Sequence, residues 1–115
     1  MDKTTFTNSK AAINLATMLD TPEYTQYRDR VNRILSRWFE YSSEVMAIKS
    51  PTVCLGTLDK WRTHFKEWVD NSELPEVVRS HAHNVLAIQY RKCKAIIDAR
   101  AKEIARQKRL PKEAV

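Results

Sequence analysis

Between residues 22 and 48 apolar side chains recur at spacings that alternate between three and four: Tyr24, Tyr27, Val31, Ile34, Trp38, Tyr41, Val45 and Ile48. A period near 3.5 puts all eight on one side of a helix, and the pattern predicts a helix over 22–48. Two-stranded coiled coils prefer Leu, Ile and Val at such positions, yet four of the eight are Trp or Tyr. Leu35, Phe39 and Met46 also widen the stripe beyond a narrow seam, so bundle packing is expected rather than a long coiled coil.

The same spacing recurs on either side. Ala12, Ile13, Ala16 and Leu19 give a modest stripe for a first helix over about 9–19, with Asn8 or Ser9 as its cap. Asp20-Thr21-Pro22 is expected to end that helix and open the next, with Thr21 as cap and Pro22 in the first turn. In KSPTVCLGT, residues 49–57, Ser50-Pro51 is expected to open one short turn that Gly56 closes in a left-handed conformation, with Val53, Cys54 and Leu55 turned inward as a plug. Thr57 then caps a third helix over about 58–70, carried by Leu58, Trp61, Phe65 and Trp68. Ser72 caps the last helix, which tolerates Pro75 in its first turn and meets no breaker until about residue 109.

Such a last helix would be ~55 Å long at 1.5 Å per residue. Val78, Ala82, Val85 and Leu86 form one apolar face on it, while Val77 and Ile88 lie on another, which predicts cover from two sides. From residue 91 only Cys93, Ile96, Ile97, Ala101 and Ile104 remain as one stripe, interrupted at its edge by Arg100. The C-terminal half is therefore expected to project from the core or to meet another chain, and Ile96, Ile97 and Ile104 are the candidate interface.

The 115 residues suffice for one helical domain, with 1–8 as a polar lead-in that holds one candidate anchor, Phe6, and 91–115 as a basic extension and tail. Hydrophobic residues at 43% and charged residues at 30% fit a folded globule rather than a disordered chain. Gly56 is the single glycine, and that scarcity disfavours β-rich folds, whose turns consume glycine. The expected class is all-α: a small bundle of three to four helices with a long, partly projecting basic C-terminal helix.

Charge then changes the picture. The net charge is +6, and residues 90–112 hold nine bases against two acids. On a helical wheel Arg91, Lys102, Arg106 and Arg109 share one face, opposite the apolar stripe. Such a row can neutralise successive phosphates of a nucleic acid with little regard to sequence. Asp98 with Lys102 at i,i+4, and Glu103 with Arg106 at i,i+3, would offset it in part. No aromatic residue follows Tyr90, so contact with backbone phosphates is expected and base stacking by this segment is not.

Other chemistries find less support. Cys54 and Cys93 form no CxxC pair and fit neither a disulfide framework nor a zinc site, which suggests a reduced, cytoplasmic setting. His81 and His83 sit about 200° apart on a helix and cannot share an ion. One glycine cannot build a phosphate-cradling loop, and no serine has a nucleophile-elbow setting. A helix-turn-helix over 9–30 is disfavoured because Pro22 falls where groove contacts should begin. The segment lacks the aromatic and Leu anchors of a membrane-surface helix, and no apolar run is long enough to span a bilayer. Trp38, Phe39, Trp61, Phe65 and Trp68 read as core before they read as a binding platform. The expected function is thus a non-catalytic accessory or scaffold subunit that binds nucleic-acid backbone or a nucleoprotein complex, with no cofactor and no metal. The rival is a protein-binding adaptor or inhibitor that docks its basic or aromatic surface. Homo-oligomerisation is compatible with either.

Overall fold

The computed structural model describes residues 9–109, which form helices and turns with no strand among them; the lead-in 1–8, the Asn8 cap, the Phe6 anchor and the tail 110–115 lie outside the described residues. Four α-helices follow one another: α1, Lys10–Leu19; α2, Arg28–Val45; α3, Pro51–Asp70; and α4, Glu76–Lys108. α4 packs against the other three and α3 also packs on α2. Cross-helix contacts fix the directions. Arg30 reaches the Ser72 carbonyl and Ser42 meets Gln89, so α2 runs alongside α4 in the same direction. Tyr41 lies on Trp61 and Trp38 on Phe65, so α3 runs back against both.

Local chemistry explains where the helices begin. The Ser9 hydroxyl accepts from the Ala12 amide at 3.1 Å and caps α1. Ser50, extended at ψ 119°, accepts from the Val53 amide at 3.3 Å and is followed by Pro51 at the first helical position. α1 buries Ala12, Leu15 and Leu19, whereas Ile13 is 51% exposed, so its inward row differs from the expected stripe at Ile13 and Leu15. The 22–48 helix is shorter than its apolar pattern. Thr21 does not cap it but donates to the Met18 carbonyl at 2.7 Å, and a 3₁₀ turn at Thr25–Tyr27 precedes α2. Its i→i+3 bonds tighten the chain and leave Tyr24 and Tyr27 half-buried against the core. At the other end α2 stops at Val45, i→i+3 bonds from Met46, Ala47 and Ile48 tighten the chain, and Pro51 keeps Ser50 extended.

No separate plug precedes α3. Gly56 is helical, and α3 runs unbroken from Pro51 because Cys54, Leu58, Phe65 and Val69 form one buried row that continues straight through it. Cys54 and the half-buried Leu55 do face inward, but Val53 is 55% exposed. A Cβ at Gly56 would meet nothing within 4 Å. Gly56→Ala is therefore expected to stabilise the fold by about 1 kcal/mol, because helical glycine sacrifices more backbone entropy than alanine. Thermal unfolding by circular dichroism reads this as a Tm rise of about 4–8 °C.

The core centres on Trp38 and Phe65, with ring centroids 5.5 Å apart, and Ile34, Leu35, Leu58, Val85 and Leu86 around them. A buried polar link crosses it. Gln89 donates to the Ser42 hydroxyl at 3.1 Å, and that hydroxyl donates to the Phe39 carbonyl at 3.2 Å. Because a buried polar group without a partner is costly, this pair favours one register of α4 on α2. Cys54 and Cys93 are both free and buried, and burial raises the Cys93 thiol above its ordinary value, which keeps it protonated.

The 33 residues of α4 exceed what the bundle can cover. The radius of gyration is 17.6 Å against ~13 Å for a compact chain of this length. Full burial along α4 ends at Ile97, and the helix continues for another three turns as an overhang flanked by the start of α3 at Pro51 and Thr52.

Candidate nucleic-acid interface

α4 is an uninterrupted helix, so residue number fixes direction along it. Arg91, Lys102, Arg106 and Arg109 fall within about 60° of one another on the wheel, and all four are exposed. Arg91 to Arg109 spans ~27 Å of helix axis, less than the ~34 Å of one duplex turn. A stiff straight row of this length can follow one edge of a backbone and cannot wrap around it.

The four cations differ in availability. Arg106 donates to both carboxylate oxygens of Glu103, at 3.1 and 2.6 Å, and Gln107 donates to the same carboxylate at 3.0 Å. These contacts hold the Glu103 carboxyl below its ordinary range and raise Arg106. The Glu103–Arg106 pairing is as the sequence spacing suggests, whereas Asp98 pairs differently. It takes Lys94 at 3.0 Å, an i,i+4 partner on its N-terminal side, and so turns from Lys102. Among the described residues Arg91, Lys102 and Arg109 form no ion pair. Arg106 and Lys108 also lie in the last turn, where cations complement the helix dipole.

The candidate apolar interface needs correction. Ile96, Ile97 and Ile104 do not form one open seam: Ile97 is 2% exposed and belongs to the core row of Ala82, Leu86, Cys93 and Ile97. Ile96, rotated about 100° from it, is 50% exposed. Ile104 is 38% exposed and lines a shallow groove with Pro51, Thr52, Ala101, Ala105 and Lys108, where the start of α3 meets the overhang. Only Ile96 and Ile104 are thus available to a partner.

Two further features lie beside the row, and the first of them was not signalled by sequence spacing. Tyr90 donates to Asp59 at 2.5 Å while the Arg62 guanidinium sits 4.3 Å from the Tyr90 ring centroid, which clamps α3 to α4 just before the overhang. Burial and Asp59 together raise the Tyr90 phenol. The second feature is an aromatic rim. Tyr41 stacks on Trp61 with centroids 4.5 Å apart, His64 meets Trp61 edge-on, and Trp61 and Trp68 are half-buried, while Trp38 and Phe65 beneath them are fully buried.

Among the described residues no group of three His, Cys, Asp or Glu side chains is placed to hold a metal ion, and no helix is long and apolar enough to cross a membrane. Comparison with protein families, with curated proteins and with solved structures finds no match for this chain.

Proposed function

We propose that the protein is a non-catalytic helical accessory subunit that binds nucleic-acid backbone through the solvent-facing side of α4. One observation carries the reading: Arg91, Lys102 and Arg109 stand on a single exposed face of a rigid helix with no ion pair among the described residues. A phosphate chain satisfies such a row by charge and hydrogen bonding, and the counterions it releases supply the driving force. The row holds no aromatic side chain for base stacking, so binding shows little sequence preference. Arg106 joins the row by exchanging Glu103 for phosphate.

The rival reading, an adaptor that docks onto a protein, draws on the half-buried Trp61 and Trp68 and on exposed Ile96. Tryptophan is a frequent anchor of protein interfaces. Co-purification from lysate with and without nuclease separates the two. Loss of co-purifying material after nuclease digestion supports nucleic-acid binding; an associated protein retained at the same amount supports the adaptor.

A further inference from the structure

A cleft of about 360 Å³ opens between α3 and α4, lined by Arg62, Lys66, Asp70, His83 and Asn84 together with Leu86 and Ala87. Its charged groups are unequal in freedom. His83 donates from Nε2 to Asp70 at 2.7 Å, and Arg79 and Lys66 lie close enough to help hold that carboxyl below its ordinary range. Asp70 is thereby offset locally. Lys66 is exposed and lines the cleft. Arg62 is held in place by Tyr90, and its Nε–H is buried with no hydrogen-bond partner among the described residues. Arg62, Lys66 and Arg79 outnumber Asp70, and the nearby Asp59 still leaves a positive balance.

Position links the cleft to the basic row. Asn84 and Arg91 are seven residues apart, two helical turns, so they share a face of α4 about 10 Å apart. The cleft therefore continues the line from Arg109 to Arg91 inward onto the body of the bundle. We propose that it is a phosphate-binding subsite in which Arg62, Lys66 and Asn84 donate to one phosphate group of a strand that lies along α4. This assignment rests on the α4 reading for its strand, though not for its phosphate.

The test uses the whole chain and two probes. Inorganic phosphate is titrated while the Arg62 Nε–H and Asn84 side-chain amide signals are followed by ¹⁵N NMR; oligonucleotide affinity is measured against salt. Saturable shifts at both residues are expected in the wild type and also in a variant with Arg91, Lys102, Arg106 and Arg109 changed to Glu. Lys66→Gln, an exposed change that leaves the packing intact, should weaken phosphate binding about three- to tenfold. It should also reduce the slope of log affinity against log salt by about 0.7–0.9, the share of one phosphate contact. Unmoved Arg62 and Asn84 signals overturn the proposal whatever the oligonucleotide does. A normal slope in Lys66→Gln likewise overturns the placement of the cleft on the strand's path. Phosphate shifts without any oligonucleotide binding would instead sink the α4 reading and leave the cleft as a site for a free phosphate.

Discussion

Trp38→Ala is expected to lose about 3–5 kcal/mol of stability, the cost of emptying a fully buried indole site that cannot collapse. Small domains hold only ~5–15 kcal/mol in all, so the variant should unfold at least ~10 °C lower or fail to fold. Trp38 is the largest side chain with no exposure, and it meets Phe65 at the centre where α2 and α3 cross-pack. Its indole Nε1–H is buried with no hydrogen-bond partner among the described residues. Trp38→Phe should consequently lose less than about 1 kcal/mol, since the smaller ring leaves a cavity but also removes an unpaired donor. Urea unfolding of both variants checks the pair. Equal losses in the two would mean that the indole ring does not occupy the place described.

Charge reversal on α4 is expected to have the other large effect. Arg91, Lys102, Arg106 and Arg109 are exposed, so changing all four to Glu should keep the bundle folded, with any loss of helical circular dichroism confined to the last turns of α4. Binding to a short oligonucleotide at low salt should weaken on the order of 100-fold or more, as attractive contacts become repulsive ones. Arg106→Glu alone should do less than Arg91→Glu, because Arg106 already spends its guanidinium on Glu103 while Arg91 has no ion pair among the described residues. Equal single-variant losses would argue against the pairing as a brake on Arg106.

How far the sequence foretells these features depends on the kind of interaction. The frame is legible because apolar periodicity is a direct consequence of burial: Val31, Ile34, Trp38 and Val45 are inward in the structure as their spacing requires. Helix ends are less so, since they depend on competing local bonds. Thr21 has a hydroxyl that can accept from a following amide or donate to a preceding carbonyl, and it does the second. Gly56 is compatible with a left-handed stop or with a helix, and only the i,i+4 row from Cys54 to Leu58 decides between them. The Gln89–Ser42 link reads in the sequence as gaps in two apolar stripes, because nothing local indicates that two polar residues 47 apart satisfy each other. Ile96 and Ile97 illustrate the limit of a wheel: adjacent positions differ by 100°, and which of them is buried depends on how the other helices pack against α4.

The basic row was visible for the opposite reason, that a solvent-facing helix surface needs no tertiary knowledge. Its ion pairs were not fully visible, since Asp98 lies four residues from both Lys94 and Lys102 and takes the first. The cleft between α3 and α4 left no trace in spacing at all, because Arg62 and Lys66 belong to one helix and His83 and Asn84 to another.

Binding to single-stranded DNA, duplex DNA and RNA across a series of salt concentrations tests the central claim most directly. The wild type should bind at low salt with little sequence preference, and log affinity should fall linearly with log salt at a slope of about −2 to −4, set by three or four phosphate contacts. No binding at low salt, or affinity that does not change with salt, would contradict it.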